Sequence, residues 1–282
     1  MNITVVVPVY NDPKGLNDTL ESLISQDYPK DKYEIIVVDN GSNDRTLDVA
    51  ISYSEAYPNF IKYVIEDSIQ SSYAARNKGI DLASGDIIAF TDSDCIADSE
   101  WLSGGILCLK KLNTSVVAGE IRFTYLRNNP SFWEYFDSAR KLNQRSYVEN
   151  SGFGATANLF VKREIFRKHG VFLDTLISGG DYEFGRRITD QNETIAFCRT
   201  AVIFHKARTN FYSILLKSSR VATGQKALEK MGLLHHGLVT WKSLLPAKSA
   251  PNIEGYRIGF IKKIGYIFFR TFFSYYNFFK RL

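Results

Sequence analysis

The 282-residue chain is poor in cysteine, methionine, histidine and proline, with 3, 2, 4 and 7 of each. Its cysteines (Cys95, Cys108, Cys198) are odd in number and show no paired spacing. That excludes a zinc framework and a disulfide-stapled scaffold, and fits a reducing compartment. No stretch reaches the roughly 18 uncharged apolar residues of a membrane-spanning helix. The nearest, 264–279, is interrupted by Arg270. The opening MNITVVVPV has no basic segment, and its apolar run is too short for a signal peptide, so a cytoplasmic protein starting at Met1 is expected. There is no internal repeat and no low-complexity linker. Acid is scarce only at one end. Residues 199–282 carry 15 Lys+Arg against 2 Asp+Glu (+13), whereas 1–198 carry 20 against 28 (−8). The net charge of +5 therefore hides an acidic body joined to a basic end, and the two are expected to meet different partners.

What is present argues for an α/β fold. With 45% hydrophobic and 23% charged residues, the chain can bury the core of one large or two small domains. Ile3–Val9 is a β-branched run that reads as a strand buried on both faces. Further strands are expected at 33–38, Ile61–Ile65 and 86–90, alternating with helices at 16–25, 44–57 and 72–83. Strands separated by helices of ten to fifteen residues imply right-handed βαβ units and a mainly parallel sheet. Beyond them the spacing predicts strands at 116–123 and 157–161. Helices are predicted at 131–147, Arg163–His169, 181–189 and 211–231. A proline-containing stretch, 246–251, then precedes the tail.

In an open parallel sheet, ligands bind outside the carboxyl ends of the strands. Asp39 follows YEIIVV, Asp92 and Asp94 follow DIIAF, and Pro8, Tyr10 and Asn11 close the first strand, so three loops converge on one rim. Asp92 and Asp94 flank one residue, a spacing that lets a turn aim two carboxylates at a single hard cation such as Mg²⁺ or Mn²⁺. Acidic residues also crowd ordinary turns, so this pair alone does not establish a metal site.

The segments VVVPVYN, EIIVVDNGSNDRT and AARNKGIDLASGDIIAFTDSDC, in that order and spacing, closely resemble the nucleotide-binding half of family 2 glycosyltransferases. These are inverting enzymes of the GT-A fold that use nucleotide-sugar donors. The resemblance is strong over about 3–125 and thinner to about 225. It implies that Pro8, Tyr10 and Asn11 lie against the nucleotide. Asp39 would accept hydrogen bonds from base or ribose, and Arg76 and Asn77 would approach the donor. Asp92, Ser93 and Asp94 match the family's Asp-X-Asp, with Asp92 and Ser93 toward the donor and Asp94 toward the metal. In SGGDYEFGRRI, Asp181 matches the aspartate of the family's Glu-Asp pair. It is the expected general base, with Glu183, Phe184 and Arg187 after it and Gly180 where glutamate usually stands. His205 matches a further metal or pyrophosphate ligand. Lys206, Arg208 and Arg220 would line the diphosphate or simply be solvated, and the glycines of 152–158 resemble an acceptor loop. Each residue also has a plainer reading: a turn for Asp39, an ion pair for Arg76, a helix cap for Asp181, a structural histidine for His205. No Gln-X-X-Arg-Trp occurs, which argues against a processive synthase.

Residues 256–282 hold 11 aromatics and six Lys/Arg with no acid. Lys262, Lys263, Tyr266, Arg270, Ser274, Asn277 and Arg281 fall three or four apart, with Ile261, Ile264, Phe268, Phe272, Tyr275 and Phe279 largely on the other side. This pattern predicts an amphipathic basic helix lying on an anionic membrane surface, or else docked on the domain. The expectation is thus a GT-A domain over 1–245, with a nucleotide-sugar half (1–125) and an acceptor half (126–245), followed by a membrane-associating tail (246–282). It would be a non-processive inverting glycosyltransferase, peripheral on the cytoplasmic face of a membrane. It would use Mg²⁺ or Mn²⁺ to move a sugar from a nucleoside-diphosphate sugar, taken as a UDP-sugar, to a glycan or lipid-linked acceptor. Nucleic acid is not expected as a partner. A metal-dependent nucleotidyltransferase and a catalytically silent sugar-nucleotide-binding protein remain as alternatives.

Overall fold

The computed structural model describes residues 1–140, 142–234, 245–253 and 255–281. Residues 235–244 of the expected acceptor half, and Glu254 and Leu282 of the tail, lie outside them. The β-branched opening forms β1 (Ile3–Val9), buried along its whole length, as is β2 (Tyr33–Asp39). With β3 (Ile61–Ile65) and β4 (Ile87–Thr91) they make four parallel strands in the spatial order β3-β2-β1-β4. The crossovers are α1 (Pro13–Ile24), α2 (Thr46–Ala56) and α3 (Ser72–Leu82). Because the strands are parallel, Val9, Asp39 and Thr91 all end on the same rim. Glycine brings α3 down onto the sheet: a Cβ at Gly79 would stand 2.4 Å from the Val6 side chain.

The parallel expectation holds for this half only. Among the described residues the sheet has eight strands and continues through β7 (Asn158–Lys162), β6 (Val116–Thr124), β8 (Ile195–Lys206) and β5 (Cys95–Ala97). There β4–β7, β6–β7 and β5–β8 pair antiparallel. Neither the three-residue β5 nor α4 (Trp101–Lys111) was anticipated. The helix expected over 131–147 is two, α5 (Phe132–Ala139) and α6 (Gln144–Ser151), because Asn143 caps a new start by accepting from Ser146 N–H at 3.1 Å. The helices α7 (Arg163–His169) and α8 (Gly180–Thr189) follow as expected.

The chain divides into two compact units, and the division cuts across the expected halves. The first unit comprises Met1–Arg122, Asn143–Leu176 and Gly180–His205; the second comprises Phe123–Leu142, Ile177–Gly179 and Lys206–Leu282. Strand pairing is the reason, since β7 and β8 join the one sheet from late in the sequence. Cysteine also needs correction. Cys108 of α4 and Cys198 of β8 form a disulfide, leaving only Cys95 free and buried. A pairing across 90 residues cannot be read from spacing. It removes the cysteine count as an argument for a reducing compartment.

In the second unit, α10 (Phe260–Arg281) packs on α9 (Phe211–Lys230) and α5. Tyr135, Phe136, Ile214, Tyr266 and Phe273 belong to its hydrophobic core. The face expected to be polar is the docked one. Lys262 Nζ donates to Pro130 O at 2.5 Å, Asn277 accepts from Ser218 Oγ at 2.8 Å, and Arg281 pairs with Glu229. The opposite face, with Ile261, Ile264, Phe268, Tyr275 and Phe279, stays exposed. Among the described residues no helix is long and apolar enough to cross a membrane.

Candidate active site

Asp39 ends β2 at 2% exposure. One oxygen, Oδ2, accepts from Ser42 N–H at 3.0 Å, while Oδ1 is buried without a partner. The neighbouring loop is tied to it through Asn11, whose left-handed backbone (φ 50°) asparagine tolerates. Asn11 N–H donates to Ser42 Oγ at 2.9 Å, and its Oδ1 accepts from Asn43 N–H at 2.9 Å. Pro8 is buried in β1, and Tyr10 stands half exposed beyond it. Tyr10, Asn11 and Asp39 thus gather at one rim, as the sequence predicts.

The next wall comes from α3 and the turn after β4. Arg76 is 3% exposed and donates to Asp92 Oδ1 at 2.5 Å and Ser72 O at 3.0 Å, while its Nε is buried without a partner. Thr91 Oγ1, at the end of β4, is likewise unpartnered. Three of the four such atoms among the described residues therefore lie at these strand ends and on α3. Native structures rarely leave buried polar atoms unsatisfied, so this clustering points to a missing polar partner. Asn77 behaves differently. Its amide donates to Phe172 O at 2.9 Å and accepts from Phe172 N–H at 3.1 Å, which fastens α3 to the loop before α8 and commits both its ends to backbone.

Ser93 contributes its carbonyl to Thr19 Oγ1 at 2.8 Å, bracing the turn on α1. Asp92 and Asp94 remain partly open, at 35% and 40% side-chain exposure. Strand β5 then pairs Cys95 directly with His205 of β8, which carries the histidine to within 3.7 Å of Asp94 Oδ2. One ligand atom from each of Asp94, Cys95 and His205 lies within 4.8 Å of the others. A carboxylate and an imidazole suit a divalent ion such as Mn²⁺. Burial and the carboxylates of Asp94 and Asp92 push the Cys95 thiol well above its ordinary pKa.

Asp181, the second residue of α8, faces Tyr73 of α3. The Tyr73 hydroxyl donates to Asp181 Oδ1 at 3.3 Å, and Tyr182 N–H donates to the same oxygen at 2.9 Å. Burial raises the Asp181 carboxyl; Tyr182 N–H, Arg76 and Tyr73 oppose that rise without cancelling it. The Arg76 guanidinium lies 5.6 Å from the centroid of the Tyr73 ring. Asp92, Arg76, Tyr73 and Asp181 therefore form one chain of contacts. The sequence reading missed Tyr73, although its place three residues before Arg76 puts both on one helix face. It also explains Gly180, because a Cβ there would come 2.9 Å from the Tyr73 ring.

Other expected residues serve the framework. Glu183 and Arg187 pair through two contacts at 2.7 and 3.1 Å, and Arg187 also binds the carbonyls of His169 and Val171, locking α8 to the end of α7. Asn158 is fully buried and accepts from Trp101 Nε1 at 2.8 Å. In the second unit, Arg208 contacts Asp137.

The family model for glycosyl transferase family 2 matches residues 4–170. The glycosyltransferase AglE of Haloferax volcanii is 39% identical over 223 residues, covering 79% of this chain and 72% of that protein. A dolichyl N-acetyl-α-D-glucosaminyl phosphate 3-β-D-2,3-diacetamido-2,3-dideoxy-β-D-glucuronosyltransferase of Methanococcus voltae is 27% identical over 206 residues, 64% of this chain and 60% of that one. Among solved structures, the mannosyltransferase PcManGT of Pyrobaculum calidifontis, in complex with GDP-Man and Mn²⁺, superposes with a TM-score of 0.67 at 20% identity, covering 85% of this chain and 66% of that one. That likeness carries the fold. A match over more than half the chain, a relative of such identity and the rim geometry together establish that the chain belongs to glycosyl transferase family 2 and is a glycosyltransferase of the GT-A fold.

Proposed function

We propose that the protein is a non-processive inverting enzyme that moves a sugar from a nucleoside-diphosphate sugar to a hydroxyl of a glycan or lipid-linked acceptor. The observation that carries this reading is the group of unpartnered buried atoms at Asp39, Arg76 and Thr91. A bound donor at this rim would offer them polar partners. Asp39 Oδ1 is acceptor-only and suits the N3–H of uracil or a ribose hydroxyl, so the donor is taken as a UDP-sugar. Tyr10 and Asn11 border the same space. Arg76, already held by Asp92 and Ser72 O, would offer its unpartnered N–H, at Nε, to phosphate.

Asp94 and His205 would hold Mg²⁺ or Mn²⁺, with Asp92 and Ser93 toward the donor. When bound, such an ion neutralises the departing diphosphate as a Lewis acid. Asp181 takes the proton from the acceptor hydroxyl as that oxygen attacks the anomeric carbon, and its raised carboxyl pKa makes it a better proton acceptor. Tyr73 holds the carboxylate in place. An acceptor on a lipid agrees with the name of the Methanococcus voltae relative and with the exposed apolar face of α10, which would rest in the headgroup region of an anionic membrane.

Product analysis with a panel of sugar nucleotides, Mn²⁺ and a prenyl-linked glycan tests this. The reading requires one donor to yield a nucleoside diphosphate and an extended acceptor with inverted anomeric configuration. Retention of configuration, or donor binding without consumption by any acceptor, would sink it.

A further inference from the structure

Beside the proposed base lies a row of rings that the reaction above does not use. Tyr147 of α6 stacks on Phe153, with ring centroids 4.7 Å apart and planes 18° from parallel. Phe153 in turn meets Tyr182 of α8 edge to face, at 5.4 Å and 74°. All three residues stay partly exposed, and they belong with Asp181 to the first compact unit. Glycines make the row possible. Helix α6 ends at Gly152, whose left-handed backbone (φ 67°) turns the chain, and Phe153 N–H donates back to Tyr147 O at 3.2 Å. Helix α8 carries no side chain at Gly185, where a Cβ would stand 2.4 Å from Phe153 Cβ.

That close approach places the row relative to the base. Gly185 follows Asp181 by four residues and Tyr182 by three, so it shares a helix face with both. Side chains on a helix lean toward its N-terminus, so a residue at 185 would cover the turn that carries Asp181 and Tyr182. Phe153 occupies that ground. The row ends beside the carboxylate. Among the described residues Tyr182 has Phe153 as its one ring neighbour, and its backbone N–H donates to Asp181 Oδ1 at 2.9 Å. A molecule whose hydroxyl reaches Asp181 therefore brings its neighbouring atoms against the Tyr182 side chain. The face of an aromatic ring is electron-rich, and the C–H groups on one face of a pyranose are its electropositive complement. A sugar stacked in this way keeps its hydroxyls around its rim, where one can meet Asp181. A hydrocarbon chain would use the same apolar surface but has no hydroxyl to present.

We propose that Tyr182 is the platform for the acceptor's terminal sugar: a pyranose lays one C–H face on the ring, and Phe153, braced by Tyr147, holds that ring in place. The acceptor is then recognised as a sugar at the point of transfer, whatever carries it. This deepens the glycan reading above and rests on it.

The test uses the full-length protein with UDP present. The probes are the octyl β-D-pyranosides of glucose, galactose, mannose and N-acetylglucosamine, below their micelle concentrations, with octylglycerol as the control that lacks a sugar ring. Saturation-transfer NMR is expected to show at least one glycoside held through the C–H protons of one ring face, about 10-fold tighter than octylglycerol. Tyr182→Leu keeps an apolar side chain without the aromatic face and should weaken that glycoside about 10-fold, whereas Tyr182→Phe should bind it like wild type. Should Tyr182→Leu fail to fold, Tyr182→Met carries the same comparison, and the ring-face signal in wild type stands by itself. The proposal is overturned if no glycoside binds, or if the leucine or methionine variant binds as wild type does. Octylglycerol binding as tightly as the glycosides, with saturation confined to the octyl chain, gives the rings to a hydrocarbon chain and overturns it too. UDP binding, measured on the same samples, is expected to stay unchanged in the variants; its absence in the wild type would instead defeat the donor reading.

Discussion

The Tyr73 hydroxyl meets the Asp181 carboxylate at 3.3 Å, joining α3 of the donor rim to the first turn of α8. Tyr73 also lies under Arg76, which binds Asp92. The residue proposed to take the proton and the residues proposed to face the donor are therefore coupled through one aromatic side chain.

Tyr73→Phe removes the hydrogen bond and keeps the ring. A hydrogen bond to a charged group contributes about 1.5–3 kcal/mol, so transfer is expected to fall by about 10-fold or more with donor affinity unchanged. The carboxylate loses a donor that stabilises its charged form, so the Asp181 pKa rises further. Activity requires the deprotonated base, and the acidic limb of the pH–rate profile should move to higher pH. A limb that stays in place would show that Tyr73 does not act on Asp181.

Gly180→Glu restores the residue the family usually has, yet it is expected to harm this chain. The new Cβ meets the Tyr73 ring at 2.9 Å, and relieving that contact displaces the tyrosine from Asp181. Overpacking of this kind costs about 1–3 kcal/mol. Urea denaturation should show the loss, and Gly180→Ala should show most of it. Full stability and activity in both variants would rule out the steric account.

Asp39→Asn keeps the shape of the side chain and exchanges an acceptor-only group for one that also donates. UDP affinity should fall about 10-fold or more by calorimetry, with little change in melting. Wild-type affinity for ADP should be weaker than for UDP, because adenine has no ring N–H to offer Asp39. Equal affinities for UDP in wild type and variant would remove Asp39 from the donor site.

On α10, Phe268 and Phe279 are 65% and 66% exposed, whereas Phe273 is buried. The double variant Phe268→Glu/Phe279→Glu should lose sedimentation with anionic vesicles and keep its melting temperature. Phe273→Ala should instead destabilise the second unit by about 3–5 kcal/mol. Unchanged sedimentation of the double variant would contradict the membrane role. Deleting the whole helix would be uninformative, since it removes the aromatic core along with the exposed face.

Local patterning made β1 to β4 and their crossovers legible, because βαβ units are set by short-range periodicity and closing turns. The rim residues followed, since the ends of parallel strands must coincide. What stayed hidden depends on long-range pairing. Strand β5 has three residues and exists because β8 binds it, and the Cys108–Cys198 link spans 90 residues. Glu183 and Arg187 stood beside the expected base, yet they clamp α8, and Asn77 holds Phe172. Tyr73 carries no polar pattern of its own, and its role emerges only when α8 arrives beside it. In α10 the polar stripe was visible, but its use as the docking face depends on Ser218, Glu229 and Pro130, all distant in sequence.

The most direct test compares wild type and Asp181→Asn, with donor binding and transfer measured on the same sample across pH. Desolvation raises the Asp181 carboxyl, so its charge weighs against folding once the pH exceeds its raised pKa; below the unfolded-state value that penalty is absent. At neutral pH the variant should therefore melt no lower than wild type and bind UDP equally well. It should transfer sugar about 10²–10⁴-fold more slowly. Turnover close to wild type with intact donor binding would contradict the account.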